Sequence, residues 1–90
     1  MAVVAIKIKI MPENLDIALA DLTKIATEKI IKMGAMNISS SEEEIAFGLK
    51  ALILMFAWPE QQDTNILESE LGAINGVSSA QIIDYRRAFG

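Results

Sequence analysis

The sequence predicts an α+β fold: one antiparallel sheet of four strands with two helices packed on the same face, in the order βαββαβ. Three observations predict it. Apolar residues alternate with a period of two over residues 4–10 and switch to a helical period over residues 15–33. They then return as strand-like runs on either side of a second, shorter helical stretch. The chain has 90 residues, 52% of them hydrophobic, and no linker, repeat or low-complexity tract. One domain spanning residues 1–90 is therefore expected.

The first strand rests on Val4, Ile6, Ile8 and Ile10 on one face, with Ala5, Lys7 and Lys9 on the other. Pro12-Glu13-Asn14 ends it, because proline cannot donate to a ladder and the segment is rich in turn formers. Leu15, Leu19, Leu22, Ala26, Ile30 and Met33 then form one helical stripe facing a core. A helix is predicted over residues 16–32, with Asn14 or Asp16 as its cap, Lys29 and Lys32 at its negative end and Gly34 as its stop. Residues 36–41 read as a weak strand, followed by the acidic run Glu42-Glu43-Glu44 as a solvated turn and Ile45-Ala46-Phe47-Gly48 as a link. Residues 49–58 are nearly apolar on both faces, which fits a central strand, and Pro59 ends them. Ile66, Leu67, Glu70, Leu71 and Ile74 give a short helix closed by Asn75-Gly76. The last strand covers residues 77–85, with Arg86 and Arg87 just beyond it.

This order is the ferredoxin-like split βαβ arrangement, in which right-handed crossovers bring strands one and three to the centre. Lys7 and Lys9 then lie on the sheet face that carries no helix. If Lys50 shares that face, Leu52, Leu54 and Phe56 do too, forming an exposed apolar stripe; with reversed parity those three are core.

Composition removes whole classes of function. With no cysteine there is no thiolate metal site, iron–sulfur cluster or thiol nucleophile. With no histidine, the usual general base near neutral pH is missing. An isoelectric point near 4.6 and a net charge of −4 oppose phosphate-backbone contacts to nucleic acid. An acyl-phosphatase-like site lacks its arginine, since no arginine precedes residue 86, and an RNA-recognition sheet lacks an aromatic on strand one. Neither apolar segment has the charge order of a signal peptide or the length of a membrane span. A soluble, cytoplasmic binding protein without bond chemistry, metal or cofactor is expected. A small-ligand-sensing or dimerisation domain of the same fold remains open beside it.

The most specific stretch is Ile45-Ala46-Phe47-Gly48-Leu49-Lys50-Ala51-Leu52. With Met11-Pro12-Glu13, Gly76-Val77 and Asp84-Tyr85-Arg86-Arg87, it resembles the archaeal elongation factor 1-beta family over the whole chain. That family is the small form of the guanine-nucleotide exchange domain for elongation factor 1-alpha. The resemblance implies a protein that binds this GTPase in its GDP-bound or nucleotide-free form, loosens GDP and Mg²⁺, and lets GTP reload. Such an action is negative coupling between partner and nucleotide and requires no chemical step on a bond.

The resemblance assigns Phe47 as an aromatic projecting into the partner, whereas the residues alone favour a core or sheet-end phenylalanine. Gly48 beside it permits close approach or an unusual backbone angle, and Lys50 faces either partner or solvent. Arg86 and Arg87 occupy the region where eukaryotic relatives place a lysine that disturbs the Mg²⁺ site; which of the two corresponds is open. The chain departs from the family at Glu44, where proline is common, at Ala18, where an acidic cap is common, and at Pro59-Glu60-Gln61-Gln62, which replaces a glycine-rich loop.

Overall fold

The computed structural model describes residues 2–87. Its elements are β1 (Val3–Pro12), α1 (Leu19–Met33), β2 (Met36–Ala46), β3 (Leu49–Pro59), α2 (Asn65–Gly72) and β4 (Val77–Arg87). They form one antiparallel sheet of order β2-β3-β1-β4. The expected βαββαβ order and the central position of β1 and β3 are both present.

Register settles which residues share a face. Val4, Ile6, Ile8 and Ile10 lie directly opposite Trp58, Phe56, Leu54 and Leu52, and residues opposite one another in a ladder point to the same side. These eight side chains, all buried, meet Leu22, Ala26 and Ile30 of α1 and Leu67 and Leu71 of α2. Phe56 and Trp58 pack edge to face, with ring centroids 6.1 Å apart. The conditional stripe of Leu52, Leu54 and Phe56 on the open face is thereby corrected: it is the core. Lys50 shares their parity and lies past the end of the helices on the covered side, so the condition fails with it.

The open face carries Lys7, Lys9, Ile53, Met55 and the facing pair Ala5 and Ala57. Ala51 and Ile53 are buried there without a helix over them. Lys9 crosses the strands to Glu43 (3.6 Å), laying its methylene stem over this part of the sheet.

Several boundaries move for physical reasons. Helix α1 begins at Leu19, later than expected, because Asn14 Oδ1 accepts the Asp16 N–H (2.9 Å) and closes a turn of its own. Neither Asn14 nor Asp16 caps the helix; the cap position is Ala18, which offers no side-chain bond. Leu15 consequently leaves the core stripe and is 64% exposed. The helix stops at Gly34, whose φ of 112° lets Gly34 and Ala35 donate to the carbonyls of Ile31 and Ile30. Gln62 Nε2 adds a bond to the Met33 carbonyl at 3.0 Å.

The acidic run is not a turn. Glu42, Glu43 and Glu44 are ladder residues of β2, opposite Leu52, Ala51 and Lys50. Alternation sends Glu43 to the open face and Glu42 and Glu44 to the other, so the three carboxylates diverge. The link narrows from four residues to two. Arg86 and Arg87, expected beyond the last strand, are paired within β4 opposite Ala5 and Val4.

Candidate functional site

The sharpest local feature is the β2–β3 connection. Ala46 pairs with Leu49, leaving Phe47 and Gly48 as a two-residue turn with φ of 52° and 82°. Positive φ at both central residues marks a type I′ hairpin, whose twist matches that of its strands and which favours Asn-Gly, Asp-Gly or Gly-Gly. Gly48 meets that demand without cost. Phe47 does not: a left-handed backbone costs an L-residue about 1–2 kcal/mol.

The Phe47 ring is also 99% exposed, so it gains nothing from burial in the folded chain. A core phenylalanine is thus overturned by geometry; Phe47 stands at the end of the sheet, outside the core. An extra residue in β2 at Ile45, between the Glu44–Lys50 and Ala46–Leu49 pairs, sharpens the twist just before the tip.

Three of the five residues singled out from the sequence meet at this end: Phe47, Gly48 and Lys50. Lys50 Nζ lies 3.7 Å from Glu42 Oε1, both side chains about half exposed. The β1–α1 turn completes the end. Asn14, Leu15 and Asp16 line an apolar concavity with Ala46, Phe47 and Leu49. A second cleft, toward α1, is lined by Pro12, Ile17, Leu19, Gly48 and Lys50 among others. Sequence reasoning missed Leu15 by placing it in the helical stripe. The turn formers Pro12, Asn14 and Asp16 around it were the available signal.

Arg86 and Arg87 lie at the other end. Six residue steps along β1 separate the Val4–Arg87 pair from the Ile10–Leu52 pair. At about 3.3 Å per residue the arginines are more than about 20 Å from the hairpin tip. They also point to opposite faces. The register shifts between Lys7 and Ile8, leaving Ile83 as an extra residue of β4. Beyond that shift Asp84 and Arg86 lie on the open face, and Tyr85 and Arg87 on the helix side. Arg86 Nε bonds Asp84 Oδ2 at 3.0 Å, and Arg87 pairs with Glu60 in the loop after β3. On the open face Lys7, Asn37, Ser39, Met55, Asp84 and Arg86 border a shallow groove floored by Ala5 and Ala57.

Among the described residues no group of three or more acidic, histidine or cysteine side chains is placed to hold a metal ion, and no helix is long and apolar enough to cross a membrane. For contact with a partner, the described residues offer an aromatic tip, an apolar concavity and charged groups at both ends.

Comparison with known proteins identifies the family. The family model described as the EF-1 guanine nucleotide exchange domain matches residues 5–87. Elongation factor 1-beta of Methanosarcina barkeri is 40% identical over 89 residues, covering 97% of this chain and 99% of the relative. That of Methanococcoides burtonii is 39% identical over 88 residues, covering 97% and 98%. That of Archaeoglobus fulgidus is 40% identical over 89 residues, covering 93% and 96%. The hairpin, both helices, Arg86 and Arg87 all fall inside the matched region, and the chain belongs to the EF-1 guanine nucleotide exchange domain family, alongside the archaeal elongation factors 1-beta.

Proposed function

We propose that this chain acts in translation elongation by binding elongation factor 1-alpha and accelerating its release of GDP, so that GTP can bind. The observation that carries the reading is Phe47, a fully exposed aromatic held on a left-handed backbone at a hairpin tip. Both properties work against the stability of the free chain, and both put a large apolar side chain where a partner can bury it, in the manner of an interface anchor. Gly48 has no atom within 4 Å of where a Cβ would stand, which keeps the approach to the ring open.

The coupling is thermodynamic. A partner that binds the nucleotide-free GTPase more tightly than the GDP-bound form lowers nucleotide affinity by the same factor. About 3 kcal/mol of such coupling corresponds to roughly a hundredfold change in affinity. No proton transfer or covalent intermediate is needed. Arg86 and Arg87 supply cationic groups at the far end of the sheet, where one of them acts on the nucleotide-metal side of the partner while Phe47, Gly48 and Lys50 hold the other contact.

The test is stopped-flow release of a fluorescent GDP from elongation factor 1-alpha with excess unlabelled nucleotide. The chain at micromolar concentration should accelerate release by at least tenfold, about 1.4 kcal/mol off the barrier to GDP dissociation. Release at the spontaneous rate would reject the reading and leave a ligand-sensing or self-associating domain in its place.

A further inference from the structure

We infer that Leu15 is a second apolar anchor, seated together with Phe47 in an apolar pocket with a basic rim on the GTPase partner. The inference rests on the exchange-factor reading and adds to it a residue, a contact surface and the chemistry of the surface that receives it.

Exposed leucines are common and need no explanation singly. Leu15 differs by position. Among the described residues, the two most exposed large hydrophobic side chains are Phe47 at 99% and Leu15 at 64%, and they line the same concavity. They come from segments more than thirty residues apart in sequence, so neither exposure follows from the other. Each is held outward by backbone geometry: Phe47 by the I′ turn, Leu15 by a turn tied at several points. Asn14 Oδ1 accepts the Asp16 N–H at 2.9 Å, Asn14 O accepts the Ile17 N–H at 3.4 Å, and Glu13 N donates to Gly76 O at 2.9 Å. Pro12 before the turn is buried and Ile17 after it packs on the core, so the loop is pinned on both sides with Leu15 outside. A side chain ordered in advance loses less entropy on docking.

The occupant follows from shape and charge. The concavity between the two side chains is open and apolar, fitted to a partner surface with one apolar pocket that takes both. The one charged residue that lines it is acidic, Asp16, and the nearby Lys50 is engaged by Glu42. A receiving surface with lysine or arginine around an apolar centre complements it.

The experiment is the exchange assay read as a function of chain concentration, with melting temperatures of every variant. Leu15→Ala should raise the half-saturating concentration about tenfold, as expected for a buried interface leucine, with the saturating rate nearly unchanged and no loss of melting temperature. In a Phe47→Ala background the same substitution should cost less than about threefold, because coupled anchors do not add. Asp16→Lys should also weaken binding, with an effect that shrinks as salt rises. Wild-type half-saturation for Leu15→Ala, with Phe47→Ala still impaired, overturns the second anchor and leaves the exchange reading standing. No acceleration by the unmodified chain rejects the exchange reading itself. A chain that sediments as a dimer, and as a monomer after Leu15→Ala, overturns the inference by assigning this end to a second copy.

Discussion

Phe47 sits at a conflict between local preference and exposure, and the conflict can be measured. Replacing it with asparagine restores the residue pair that a type I′ turn prefers and removes an exposed ring. Phe47→Asn should therefore stabilise the chain by about 0.5–1 kcal/mol, a rise in melting temperature of about 2–8 °C for a domain of this size. Its exchange activity should fall at least tenfold, about 1.4 kcal/mol. A variant that melts earlier would mean the ring supports the fold after all. Gly48→Ala separates backbone from side chain at the same tip. Nothing would touch the new methyl, so only the φ of 82° is strained, at about 1–2 kcal/mol. Gly34→Ala should cost more than Gly48→Ala, since its Cβ would also stand 2.9 Å from Gln62 Nε2, the atom that caps α1. Thermal melts of the two variants side by side test that order.

At the scale of elements, β4 shows how a half-buried polar contact completes an edge. It is an outer strand, and the Ile82 N–H donates to Glu68 Oε2 of α2 at 2.8 Å. Glu68→Ala leaves that amide unpaired in a partly buried place and should cost about 1–3 kcal/mol. Glu68→Gln retains an acceptor oxygen and should cost less than half as much. Hydrogen exchange at Ile82, faster in the alanine variant, checks the cause directly. Fluorescence of Trp58, the single tryptophan and wholly buried, reports the unfolding.

Element order, central strands and the Gly34 stop were legible because each rests on a local signal: period two at Val4–Ile10, period 3.6 at Leu19–Ile30, and a glycine after the last turn. Faces were less legible. Residues 49–58 are apolar apart from Lys50 near their start, so periodicity cannot say which half meets the helices, and only the pairing of Ile8 with Leu54 decides it. The acidic run was misplaced because glutamate is a poor strand former by propensity; in β2 the ladder to β3 and the Lys9 and Lys50 ion pairs override that preference. The bulge at Ile83, which puts Arg86 rather than Arg87 on the open face, has no sequence signature of its own. Leu15 was hidden by its accidental helical spacing from Leu19.

For the whole molecule, length matters more than charge. The chain measures 41 × 20 × 18 Å, with the hairpin tip at one end of its long axis and the arginines at the other. A partner touched at both ends is bridged across the sheet, and the connection between the contacts is β1 and β3, the two strands buried against the helices. Such a frame transmits position without any moving part. Contacts separated by more than about 10 Å and sharing no neighbour act independently, adding within about 0.5 kcal/mol. Substituting both Arg86 and Arg87 by alanine should therefore lower the saturating exchange rate more than the affinity, and Phe47→Ala should do the reverse. Their effects on rate divided by half-saturating concentration should multiply to within about a factor of two in the combined variant. Neither change should unfold the chain, because all three side chains are exposed and the arginine ion pairs lie at the surface. Taken singly, Arg86→Ala and Arg87→Ala should give unequal losses, since the two guanidiniums face opposite sides of the sheet and only one faces any given docked surface. Equal single losses, or a combined variant no worse than Phe47→Ala alone, would show the two ends engaging the partner as one contact and contradict the bridged arrangement.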